Sequence, residues 1–308
     1  MGTDNEKVFM KIAVFDTNNH PTPIFKEWGY GFLDLGHEVD FYPTEQHSIR
    51  SATNRMYDLI VYVGGMDLRD FEFVKNHNPG VKIVCSTDCI QPFHQQFIRL
   101  IDFFITTQHQ CPELIKQFGD IGFKMYHVPL AGNNHLFQPV NCDKQYDACF
   151  IGTLAHGYRE EDKYLYPYVE KYNFYLAGMT YKNYGIPFLP YDQVNLIRNQ
   201  SKININFHYD YQRDNEGHPA DRVDLNQSVY NIALSGAFQL CDHPLVSELF
   251  DGSIVTANWN EWPELFDYYL NNETERVKLA TKSYEIAIEH HTWKARMREF
   301  LQILNTHR

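Results

Sequence analysis

DACFIGT, residues 147–153, sets how the rest of the chain is read. Its apolar run ends on a glycine and a small polar residue, the pattern of a parallel strand that hands its loop to a ligand. Strands covered by helices on both faces read as near-continuous apolar runs, and their ligands sit beyond the carboxyl ends. FYLAG (174–178) repeats the pattern, and KININFH (202–208), AFQLCD (237–242) and SIVTAN (253–258) continue it, with helical stretches between. Upstream, KIAVFDT (11–17), HEVDFYP (37–43), DLIVYVGG (58–65), VKIVCSTD (81–88), FFITT (103–107) and FKMYHVPL (123–130) read the same way. A helical stretch over 24–35 ends at Gly36. Strands that alternate with helices build βαβ units and parallel sheets.

Between the halves lies PLAGNNHLFQP (129–139), an irregular crossing segment with a proline at each end, a glycine and two asparagines. It divides the chain into a first domain over 1–139 and a second over 140–308, whose last helix is a candidate to cross back. Neither half carries GxGxxG, so a dinucleotide cofactor is not indicated.

At 308 residues the chain can bury a sizeable core, and length favours two domains over one. Its formal net charge of −12 speaks against broad binding to nucleic acid or membrane surfaces, although it allows a local basic cleft. No apolar stretch reaches the ~18 to 20 residues that span a bilayer, and the N-terminus does not read as a signal peptide, so the expected location is cytoplasmic. Six cysteines form no CxxC pair and fifteen histidines no HExxH. Buried thiols in a reducing compartment fit better than disulfides or zinc, and no structural metal is expected. The 15% aromatic content suits sugar or base platforms, but core burial explains it more simply.

The order and spacing of DACFIGT, FYLAG, LSGAFQLCDHPLVSELF (234–250) and HTWKAR (291–296) resemble the C-terminal half of GT-B glycosyltransferases, specifically the CgeB-like, spore-maturation type. Pro129, Gly132, Asn133, Phe137 and Pro139 supply the residue types of the connector between the domains of many such enzymes. The resemblance implies an α/β fold of GT-B architecture, two Rossmann-like domains with parallel sheets facing across a cleft. It also implies metal-independent transfer of a sugar from a nucleotide-sugar donor, bound as substrate with no cofactor, to an acceptor hydroxyl.

Such a donor leaves as a nucleoside diphosphate, whose charge is met by backbone N–H groups, Arg, Lys or hydroxyls. Gly152, Thr153 and Arg159 are candidates for this work at the end of the first strand, and Gly178 ends the next one. The alternative is a tight turn beside a surface arginine. Ser235 and Gly236 open the most family-like element. Alignment on it places Ser228 where the family carries an arginine and Asn231 where it carries a ribose-binding glutamate. Both charges are missing here, and Asn231, Arg222 and Asp224 are the candidate replacements. Glu248 stands where resembling enzymes hold the sugar or ribose, with a helix-surface role as its competitor. Asn204, Asn206 and His208 alternate along one strand face. An edge strand would expose all three to solvent, whereas a central strand would aim only its C-terminal member, His208, at a ligand.

On the acceptor side, Asp16, Asn19, His20, Gly64, Gly65, Asp88 and His109 follow strands of the first domain, with Asp88 and His20 as candidate catalytic groups. A helix cap at Asp88 and a turn histidine at His20 are the plain alternatives. HTWKAR is expected to act structurally through Thr292 and Trp293. The acceptor stays open among glycan, protein and a hydroxylated base in DNA, as in viral sugar transferases. A GT-B-like binding protein that has lost catalysis is the rival from another class.

Overall fold

The computed structural model describes residues 9–16, 24–63, 66–87, 94–107, 112–152, 159–178, 189–208, 225–258 and 261–306, with the backbone alone for 24–25, 94 and 159–164. Two compact units emerge.

The first unit holds a six-stranded sheet: β1 (Lys11–Asp16), β2 (Glu38–Pro43), β3 (Leu59–Tyr62), β4 (Lys82–Ser86), β5 (Phe103–Thr106) and β6 (Met125–His127), in the order β2-β1-β3-β4-β5-β6. Every pairing is parallel. The apolar runs of β1 and β3 are buried throughout, as expected of strands covered on both faces. Helices α1 (Ile24–Asp34), α2 (Leu68–His77) and α3 (Pro112–Asp120) follow β1, β3 and β5. The chain's last helix, Trp293–Thr306, also belongs to this unit. Trp293 Nε1 donates to the buried Glu27 Oε2 on α1 at 2.8 Å, and its ring meets Trp28.

The second unit begins at Ala131 and holds β7 (Tyr146–Ile151), β8 (Phe174–Ala177), β9 (Ser201–Asn206), β10 (Gln239–Cys241) and β11 (Val255–Thr256). They pair in the order β11-β10-β9-β7-β8, again all parallel. Its helices are α4 (Arg159–Lys171), α5 (Tyr191–Gln200), α6 (Ser228–Leu234), α7 (Pro244–Leu249), α8 (Trp262–Asn271) and α9 (Glu273–His290). The aromatic residues fill cores. Phe207 stacks on Trp262 at 5.1 Å here, and Phe104 meets Phe118 and Phe123 in the first unit.

The connector is anchored within the second unit. Asn195 and Asn199 of α5 hydrogen-bond the backbone of Gln138 and Val140. Gly132 N donates to His291 O at 2.8 Å. A Cβ at Gly132 would press on Leu234 and on Tyr230, so only glycine admits the chain so close to α6.

Candidate functional site

In the second sheet, β8 lies on one side of β7, while β9, β10 and β11 lie on the other. The chain therefore reverses its direction of travel across the sheet between β7 and β9. At such a point the loops leaving the carboxyl ends diverge and open a crevice for a ligand. The residues at those two ends are Gly152 and His208.

Gly152 and Gly178 lie against each other. Gly152 N donates to Ala177 O at 3.0 Å, and a Cβ at Gly178 would collide with the Gly152 carbonyl. Gly178 also has φ +108°, a conformation strained for any L side chain. Its glycine thus serves the approach of two strand ends, and that approach shapes the turn that Gly152 presents.

β9 is central, so the polar residues of KININFH are not a solvated edge. Asn204, Asn206 and His208 are all buried. The two asparagines are spent inside the fold. Asn204 Oδ1 accepts from Cys149 Sγ at 3.1 Å and its Nδ2 donates to Arg198 O and Phe238 O, while Asn206 Nδ2 donates to Gln239 Oε1 at 3.0 Å.

His208 differs. Asp242, just past β10, accepts from the His208 backbone N–H and lies 3.0 Å from Nδ1. A carboxylate beside Nδ1 favours the tautomer with its proton there, in which Nε2 is an acceptor. That Nε2 is buried and has no hydrogen-bond partner among the described residues. Two more buried side-chain atoms are equally unmatched among the described residues: Asn226 Oδ1, whose Nδ2 donates to Phe207 O at 2.6 Å, and Nη1 of Arg198, whose Nη2 lies 3.4 Å from Ser228 Oγ. An orphaned buried polar atom costs about 1–3 kcal/mol, so several around residues 207–208 and 226–228 mark a place built for a polar ligand.

His208, Cys241 and Asp242 also bring their ligand atoms within 4.8 Å of one another, the one such group among the described residues. Burial pushes the Cys241 thiol well above its ordinary pKa and keeps it protonated. As it stands the trio is hydrogen-bonded, with the thiol 3.4 Å from His208 Nδ1.

The other sequence candidates divide. Asn231 is buried on α6, and its Oδ1 accepts from Asn133 N at 3.0 Å, so this oxygen fastens the connector. Ser235 is fully buried and its hydroxyl donates to Asn231 O, closing α6. Gly236 takes φ +63°, and a Cβ there would press on the Pro139 ring. Glu248 is exposed on α7, and its carboxylate has no partner among the described residues. Asp16 is buried at the end of β1, where its Oδ2 accepts from Lys26 N at 3.1 Å. Arg159 opens α4 as backbone alone. Asn19, His20, Gly64, Gly65, Asp88, His109, Thr153, Arg222 and Asp224 lie outside the described residues. Sequence reasoning passed over Arg198, Asn226 and Asp242. The signal available for Asp242 was its place directly after the apolar run AFQLC.

Residues 159–302 match the family described as glycosyl transferase-like. The solved structures agree in fold. T4 phage β-glucosyltransferase (BGT), solved in complex with its UDP-glucose substrate, is 14% identical, with a TM-score of 0.61 over 95% of this chain and 98% of that one. The fold is that of the GT-B glycosyltransferases. Sucrose-phosphate synthase from Thermosynechococcus elongatus gives 0.63 at 10% identity over 96% and 98% of the two chains. Anabaena HepE with UDP-glucose gives 0.58 at 10% identity over 96% and 100%. No curated protein is significantly similar in sequence. No described helix of this GT-B chain is long and apolar enough to cross a membrane.

Proposed function

We propose that this protein transfers a hexose from a uridine diphosphate sugar to an acceptor hydroxyl, without a metal ion, as a CgeB-like GT-B glycosyltransferase. The observation that carries the reading is the His208 imidazole. Asp242 holds it with an unmatched acceptor nitrogen at the carboxyl end of a central parallel strand, beside the switch point of a GT-B sheet. A sugar or ribose hydroxyl is the donor that such a nitrogen needs. Glycosyltransferases of this fold that bind UDP-glucose support the choice of nucleotide.

In this reading the second unit binds the donor through Gly152, Thr153, Arg159, Gly178, His208 and Arg222, with Glu248 on a sugar hydroxyl. The hydroxyl and N–H groups of the Ser235–Gly236 turn are spent on closing α6. The first unit binds the acceptor, and Asp88 or His20 takes its proton. The departing diphosphate is stabilised by fixed N–H groups and cations rather than by a metal.

The acceptor could be a glycan, a protein or a hydroxylated DNA base. The last draws support from the similarity, along nearly the whole chain, to a DNA-modifying β-glucosyltransferase. The test is transfer of labelled glucose from UDP-glucose to hydroxymethylated DNA, to plain DNA and to glycan and protein acceptors, in excess chelator. Label on hydroxymethylated but not plain DNA selects the base. Turnover that stops with chelator and returns with manganese would overturn the metal-free part. Neither hydrolysis nor transfer with any nucleotide sugar would leave the binding-protein alternative.

A further inference from the structure

Among the described residues, Arg198 is a cation without an anion. It lies on α5, is only 4% exposed, and burial lowers its pKa to about 10. Such burial is costly unless a negative charge compensates it. Yet its neighbours are neutral. The guanidinium carbon sits 4.8 Å from the centre of the Phe137 ring, Nη2 reaches the Ser228 hydroxyl at 3.4 Å, and Nη1 has no partner. No carboxylate contributes to its electrostatic surroundings among the described residues. The guanidinium packs over the Phe137 ring, and its Nη1 remains a donor for an anionic oxygen. A second observation points to the same place. Asn226 stands two residues before Ser228, and its Oδ1 is also buried and unmatched among the described residues. Its Nδ2 donates to the carbonyl of Phe207, the neighbour of His208, whose Nε2 is likewise unmatched. A ligand that satisfied the three atoms would bring negative oxygens for the arginine and hydroxyl groups for the other two.

We propose that Arg198 is the counter-charge for the diphosphate of the nucleotide-sugar donor, delivered from α5 because α6 carries Ser228 and no cation of its own. The proposal rests on the donor reading above and names the residue on which it turns. Calorimetric titration of UDP and of uridine into the full chain isolates the diphosphate. Arg198→Met keeps side-chain length and removes an uncompensated buried charge, so the ligand-free variant should melt no lower than the wild type. Its UDP affinity should fall roughly tenfold or more, as for the loss of a charged hydrogen bond, while its uridine affinity is unchanged. Arg198→Lys should keep part of the preference for UDP. Adding Ser228→Arg to Arg198→Met should restore part of it, since the cation then reaches the same point from α6. Unchanged UDP affinity in Arg198→Met would overturn the proposal, as would equal losses for UDP and uridine with a lower melting temperature. The donor reading would survive either result. A wild-type protein that binds no nucleoside diphosphate would overturn both.

Discussion

His208 Nδ1 and Asp242 Oδ1 stand 3.0 Å apart, joined across the 34 residues that separate β9's end from β10's. The same carboxylate also accepts the His208 backbone N–H, so it fixes the ring, its tautomer and the strand end together. Asp242→Asn should therefore cost more than a hydrogen bond. With an amide opposite, Nδ1 can lose its proton and Nε2 can become a donor, the wrong partner for a hydroxyl hydrogen. We expect kcat/KM with UDP-glucose to fall about tenfold or more, with a stability loss of about 1.5–3 kcal/mol by urea denaturation. Wild-type kinetics in this variant would remove His208 from the site.

Gly178→Ala tests the approach of the two strand ends. The new methyl would meet the Gly152 carbonyl in a backbone conformation of φ +108°. Strain and overpacking together should destabilise the protein by about 3 kcal/mol. Thermal and urea denaturation read this directly, and a variant as stable as the wild type would contradict the geometry.

Asn231→Ala removes the acceptor for the buried Asn133 N. A loss of about 1–3 kcal/mol is expected, whereas Asn231→Asp keeps an acceptor oxygen and should retain most of the stability. If donor affinity falls in both variants while stability holds, Asn231 is a ligand contact and the connector bond is secondary.

Glu248→Gln should leave stability within about 0.5 kcal/mol, because an exposed carboxylate without a partner holds nothing in place. As a contact to a sugar hydroxyl, it should lower turnover several-fold while the melting temperature stays constant. Turnover equal to wild type would assign it to the helix surface.

Much of this protein was legible in its sequence. The strands of both sheets are apolar runs that end at turn residues, because a strand buried on both faces has no polar side to show. Gly132, Gly178 and Gly236 mark real close approaches or left-handed turns. The GT-B reading rested on the resemblance of those motifs to the C-terminal half of that family, and His208 was singled out because it ends an alternating strand. Residue function was less legible. Asn231 and Asn133 are 98 residues apart, and nothing local to either announces that one holds the other.

The sequence by itself determined the α/β class, the parallel character of both sheets and the turn-bearing ends of their strands. These depend on hydrophobic periodicity and backbone preference, which are properties of short segments. Only the tertiary structure decided that β9 lies beside β7 and β10, and hence that Asn204 and Asn206 are spent internally while His208 is held by Asp242. It alone buried Arg198 and left Glu248 in solvent. In a helical stretch such as YDQVNLIRNQ an arginine reads as solvated surface. Its burial depends on Phe137 and Ser228, distant residues that the strand order and the anchored connector bring against it.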